Sequence, residues 1–178
     1  MFAALLRGVN LGAHNRIRMP ELRALVEGLG GTDVSTYLQS GNVVFRSDRA
    51  AAALAKAIEQ SIRSELGLDI AVVIRTRTQL ERLVAGNPFG RPKEKESSLY
   101  VTFLAKKPDT THVRKLQEES FEPERFELAG ENVYLFFPNG YGRSKLSNAL
   151  LERRLGVAAT TRNWRTVTAL AELTAAAG

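Results

Sequence analysis

The order of apolar patterns along this chain occurs twice. Phe2 to Leu6 is a nearly unbroken apolar run, followed by a loop containing glycine and asparagine. Met19, Leu22, Leu25, Val26 and Leu29 then recur at helical spacing around Pro20, and Gly30 and Gly31 stop the helix. Val34 to Leu38 and Val43 to Phe45 flank Gln39, Ser40, Gly41 and Asn42, a hairpin signature because glycine and asparagine tolerate the positive φ of tight turns. Leu54, Ile58, Ile62 and Leu66 define a helix over Arg49 to Glu65, and Ile70 to Ile74 reads as a buried strand. A capping box is expected at Thr78 to Glu81, opening a further helix through Leu80, Leu83 and Val84.

The pattern then restarts. Leu99 to Leu104 repeats the opening strand, and Asp109 to Glu119 repeats the first helix with a weaker apolar face. Phe126 to Leu128 and Val133 to Phe137 repeat the hairpin, Ser144 to Leu155 the second helix, Gly156 to Thr161 the last strand and Arg165 to Ala175 the extra helix. Between the halves, Asn87 to Ser98 has two prolines, a glycine and dense charge without apolar period, so it reads as a connection. The fold class expected is α+β, built as two tandem ferredoxin-like units of βαββαβ order, each followed by an additional helix. Their boundaries fall at 1–86 and 99–178, with 87–98 as the connecting loop.

Composition removes several chemistries. With no cysteine, disulfides, thiol catalysis and thiolate metal sites are excluded. The only histidines, His14 and His112, have no metal-ligand company in the sequence, so no metal is assigned. Twenty-five Lys and Arg against 19 Asp and Glu leave a net charge of +6, which permits an acidic partner without naming one. Arg7 interrupts the N-terminal apolar run too early for a secretion-signal core, and no segment has the apolar length of a membrane span; the expected location is the cytoplasm.

Four polar stretches are poorly explained by core formation, and loops beside strands are where sites are usually grafted. Asn139, Gly140, Tyr141, Gly142, Arg143, Ser144 and Lys145 sit at a strand-to-helix junction. There, small residues let backbone N–H groups approach an anion, and Arg143 and Lys145 add full charges. The spacing matches neither the phosphate loop of nucleotide hydrolases nor the dinucleotide fingerprint. A plainer account has the glycines turn the chain and Ser144 cap the helix. Arg162, Asn163, Trp164 and Arg165 combine charge, an amide and the only tryptophan, a set that can stack on a flat ring while pairing with phosphate. The alternative there is that Trp164 anchors the last helix and Asn163 caps it. Arg7 and Asn10 follow the first strand, and Gln39 and Asn42 sit in the hairpin; an ion pair and a plain turn are the respective alternatives.

Taken in order and spacing, Leu5 to Asn10, Tyr37 to Phe45, Asn87 to Phe89, Asn139 to Asn148 and Thr160 to Val167 resemble the bacterial family called domain of unknown function 1697, over essentially the whole chain. The resemblance implies an α+β fold with two ferredoxin-like halves and brings no established reaction, cofactor or catalytic residue. Ala13, His14, Asn15 and Arg16 stand where relatives tend to carry glycine and lysine.

No nucleophile with a base, carboxylate pair or metal set forms a recognisable catalytic constellation, and the cofactor is unknown. Ser144 and Lys145 are adjacent in sequence and point different ways from a helix start. The function expected is binding of a small anionic ligand, bearing phosphate or carboxylate, through Arg7, Asn10, Gln39, Asn42, Asn139, Arg143, Ser144, Lys145, Arg162, Asn163, Trp164 and Arg165. Nucleic acid is the alternative partner, although Leu99 to Ala105 lacks the exposed aromatics of RNA-recognition strands. A protein-interaction module without a small-molecule ligand is the third reading.

Overall fold

The computed structural model describes residues 1–12, 14–90 and 97–176, apart from the side chain of Arg143. Of the connecting loop expected at 87–98, residues 91–96 lie outside the described residues. Among those described, the fold is α+β, with two four-stranded antiparallel sheets and six α-helices.

The first compact unit comprises Met1–Leu83 together with Ala169–Gly178. Its elements are β1 (Phe2–Leu6), α1 (Met19–Gly28), β2 (Thr32–Tyr37), β3 (Asn42–Arg46), α2 (Ala51–Leu66), β4 (Val72–Thr76) and α3 (Arg77–Ala85), whose last two residues fall past the unit boundary. The sheet order is β2-β3-β1-β4. Side-chain alternation gives this sheet two faces. Ala4, Leu6, Val43, Phe45, Val72 and Ile74 pack under Leu22, Leu25 and Val26 of α1 and Leu54, Ile58 and Ile62 of α2. Full burial of each Val, Leu, Ile or Phe side chain of this kind stabilises the fold by about 1.5–3 kcal/mol relative to exposure. The opposite face is buried too, through Ala3, Leu5, Val44, Val73 and Arg75.

The second unit, Val84–Thr168, repeats that plan. It contains β5 (Leu99–Leu104), α4 (Thr110–Gln117), β6 (Arg125–Ala129), β7 (Asn132–Phe136), α5 (Asn148–Leu155), β8 (Ala159–Asn163) and the start of α6 (Trp164–Ala176). Its sheet order, β6-β7-β5-β8, is the first order with every strand replaced by its counterpart. Two backbone bonds recur at one end of both sheets. Leu6 N–H donates to Gly41 O at 2.8 Å as Leu104 N–H donates to Glu131 O at 2.9 Å. Arg7 N–H donates to Ala71 O at 2.9 Å as Ala105 N–H donates to Ala158 O at 2.9 Å.

Several boundaries differ from the sequence expectation. Both final strands run about two residues later than their apolar runs, because the register with the central strand, Ala3↔Arg75 and Val101↔Arg162, carries an arginine into each sheet. The third helix opens two residues earlier than its expected capping box: Thr76 and Gln79 exchange the capping bonds, at 2.9 and 3.2 Å, while Glu81 pairs with Arg77 at 2.7 Å. α5 starts at Asn148 rather than Ser144, capped by Ser147, whose hydroxyl accepts from Leu150 N–H at 3.2 Å. Residues 144–147 are spent crossing to the helix after a 3-10 turn, Tyr141–Arg143. No helix among the described residues is long and apolar enough to cross a membrane.

Candidate functional site

In the first unit, the sheet end formed by the C-terminus of β1 and the β2–β3 hairpin brings Arg7, Asn10, Gln39 and Asn42 into one region. Asn10, at φ 55°, is the tie. Its amide nitrogen donates to Gln39 O at 2.6 Å and Ile17 O at 3.0 Å, and its oxygen accepts from Ile17 N–H at 3.0 Å. A side chain with this many backbone partners holds two loops together. Asn42 is fully buried and does the same inside the hairpin, donating to Tyr37 O at 2.8 Å and to Ser40 Oγ at 2.9 Å. Gly41, at φ +74°, leaves no room for a larger residue: an added Cβ would lie 2.4 Å from Val9 Cγ2 and 2.9 Å from Leu6 Cβ.

What this scaffold presents to solvent is mixed. Arg7, His14, Arg16 and Gln39 are exposed on the tied loops. Leu11 and Leu38, the chain neighbours of Asn10 and Gln39, are 72% and 54% exposed, large values for leucine. Leu38 holds φ 59°, a conformation that leucine rarely adopts outside constrained sites.

The second unit disposes of its polar residues differently. Ser144 Oγ donates to Glu124 Oε2 at 2.6 Å and accepts from Leu146 N–H at 2.9 Å, so it braces the junction. Tyr141 stacks on Tyr100, ring centroids 4.9 Å apart, and its hydroxyl accepts from Asn148 N–H at 3.2 Å. Asn148 in turn links Ala159 O and Thr161 Oγ1, and Thr161 meets Thr102 at 2.7 Å, a chain of satisfied polar groups under α5. Asn139 and Lys145 are left exposed; of Arg143 only the backbone is described.

Arg162 lies inside the fold. It is 8% exposed and donates to Thr160 Oγ1 at 2.6 Å and Thr161 O at 3.0 Å. Burial pushes its guanidinium down to about 10, still cationic at neutral pH. Asn163 caps α6 by accepting from Thr166 N–H at 2.8 Å, and Trp164 is buried at 6% exposure. Arg165 alone of this stretch joins charge to an exposed side chain. Thus Arg162, Asn163 and Trp164 have internal work, and no flat face of Trp164 is open for stacking. Among the described residues, no group of three or more His, Asp or Glu gathers at metal-ligand distance.

Sequence patterning missed two features. Arg75, the counterpart of Arg162, is buried and donates to Ile74 O at 2.9 Å. Its signal was the match of positions between the two final strands. A cleft of about 530 Å³ opens beside α4 in the second unit, lined by Lys106, Lys107, Asp109 and His112. No sequence signal marks a cleft whose walls come from separate segments.

A family model described as a protein of unknown function, DUF1697, matches residues 1–134. The chain belongs to the DUF1697 family. The span that carries the DUF1697 match contains the whole tied loop end of the first unit and stops before the 138–147 junction. Among solved structures, the chain is similar to the conserved bacterial protein SP0830 from Streptococcus pneumoniae, with a TM-score of 0.74 and 21% identity over 97% of each chain. At that identity the likeness is one of fold. No curated protein matches this DUF1697 chain.

Proposed function

We propose that this DUF1697 protein binds a small organic anion, bearing phosphate or carboxylate, at the tied loop end of its first unit. The observation that carries the reading is the Asn10 tie, which fastens the loop bearing exposed Arg7 and Leu11 to the hairpin bearing exposed Leu38 and Gln39 and leaves both few degrees of freedom. A cation beside apolar surface suits a ligand with a charged group and an apolar body, and a preorganised loop loses little entropy on binding. In this reading Arg7 meets the anion, Gln39 orients it, and Asn10 and Asn42 position the loops. Asn139, Arg143, Lys145 and Arg165 form a second basic set in the other unit, with Ser144, Arg162, Asn163 and Trp164 supporting it from within. The frame would be two tandem ferredoxin-like units, 1–86 and 99–178, joined by 87–98; the matching strand orders and split crossovers support that assignment.

The test is a titration of phenyl phosphate and benzoate into the native chain and into Arg7→Ala, followed by calorimetry. Arg7→Ala should weaken binding about tenfold, the effect of losing one charge-assisted hydrogen bond of roughly 1.4 kcal/mol. Equal affinities in the two proteins would sink the proposal. A protein-interaction reading draws on Leu11 and Leu38, which are the kind of exposed apolar pair that a partner would cover. It predicts that neither compound moves the amide signals of Gly8 and Gln39 in the native chain.

A further inference from the structure

We infer that the cleft beside α4 in the second unit is a separate binding site for a phosphate monoester, independent of the loop end in the first unit. The cleft holds about 530 Å³, within the size range of small-molecule sites. Its walls are the β5–α4 loop at 106–110, the first turn of α4, and the turn from α5 into β8 at 155–157. Within its own unit the cleft lies at the sheet end that corresponds to the end carrying Arg7 in the first, each end marked by its own matching pair of backbone bonds. The duplicated frame therefore places a cationic crossover from the first strand to the first helix in both halves.

The charges in the cleft sum to an anion site. Lys106 and Lys107 are exposed ammonium groups on one wall, and His112 stands on the other, its ring 3.3 Å from where a Cβ on Gly156 would lie. One carboxylate is present. Asp109 caps α4 by accepting from Thr111 N–H at 2.7 Å, and that bond holds its carboxyl below the usual range, so it stays ionised. Two lysines against one aspartate leave the cleft positive, and compact ammonium groups suit a phosphate dianion. Lys107 also lines an adjoining cavity of about 290 Å³, whose other walls include Val113, Arg114 and Leu128. That neighbour offers an apolar and cationic extension for the ester group. A phosphate in the first cleft and its organic part in the second, past the Lys107 and Thr110 that line both, would use the two together.

The cap supplies a discriminating variant. Asp109→Asn keeps the capping oxygen but removes the opposing charge. Inorganic phosphate and phenyl phosphate titrated into isotopically labelled full-length protein should move the amide signals of Thr110, His112 and Gly156. Lys106→Glu with Lys107→Glu should weaken binding by about tenfold or more, while Asp109→Asn should tighten it about threefold, as expected for reversing or removing charges near an anion. Phenyl phosphate should bind more tightly than inorganic phosphate. The inference is overturned by no movement of those signals up to about 20 mM phosphate, a range that covers weak small-anion sites. It is equally overturned by an Asp109→Asn protein that binds no better than native. Signals from Gly8 and Gln39, and the Arg7→Ala variant, report the loop end of the first unit separately, so either site can fail alone.

Discussion

Asn10 illustrates how a residue chosen for its chemistry can be occupied by architecture. Its position after a buried strand and its amide made it a candidate ligand contact, and its amide is instead spent on Gln39 O, Ile17 O and Ile17 N–H. Asn42, Ser144 and Asn163 follow the same course, each satisfying backbone or carboxylate groups nearby. The residue type was readable, whereas the identity of the partner depended on which backbone atoms the fold left without one. Gly41 is the clearest test at this scale. A methyl group there meets Val9 and Leu6 well inside contact distance, at a φ that disfavours L-residues. Gly41→Ala should therefore destabilise the protein by about 2–4 kcal/mol, from overpacking and backbone strain together. The denaturant midpoint measures this, and loosening of the hairpin should also reduce the affinity proposed for Arg7.

At the scale of elements, apolar periodicity located every helix and strand but misplaced several ends. β4 and β8 continue past their apolar runs into Arg75 and Arg162 because neighbouring strands, not local composition, determine where a ladder stops. The start of α5 moved from Ser144 to Asn148 because Tyr141 packs on Tyr100 and Ser144 turns toward Glu124, contacts between segments far apart in sequence. Ser147 caps the helix in its place, accepting from Leu150 N–H. Helix pairing also has an acid-sensitive element. Glu119, just past α4, accepts from Arg154 of α5 at 2.5 and 3.1 Å, and the guanidinium bond holds its carboxyl below the usual range. A folded-state value below the unfolded one gives stability that is present above the unfolded value and is lost as pH falls through the folded one. Glu119→Gln should thus reduce stability at pH 7 and flatten its decline on acidification. Thermal midpoints of the two proteins, compared from neutral pH to below the normal carboxylate range, should converge.

For the whole molecule, the repeat was legible because each half restates the same order of apolar periods, and the matching sheet orders β2-β3-β1-β4 and β6-β7-β5-β8 agree with it. Burial on both sheet faces is signalled by the unbroken apolar runs of the central strands, but its extent across the neighbouring strands is not. In the second unit Val101, Phe103, Tyr134 and Phe136 are all buried on the face away from Leu104, Val133 and Leu135. RNA-recognition sheets need open aromatics on which bases stack, and among the described residues the aromatics of this sheet face are buried. Labelled single-stranded RNA should show only weak binding that vanishes between about 50 and 200 mM salt, the behaviour of non-specific phosphate attraction; anisotropy titrations would reveal a salt-resistant component if this is wrong. The amino-acid sequence by itself determined the element order, the duplication and the positions of the core, since these follow from spacings of 2 and 3.6 residues that any compact fold of this chain must satisfy. Tertiary structure alone decided which polar side chains remained at the surface and where a cleft opened. Hydrogen-bond partners and cavity walls are supplied by residues distant along the chain, and local patterning contains no measure of that distance.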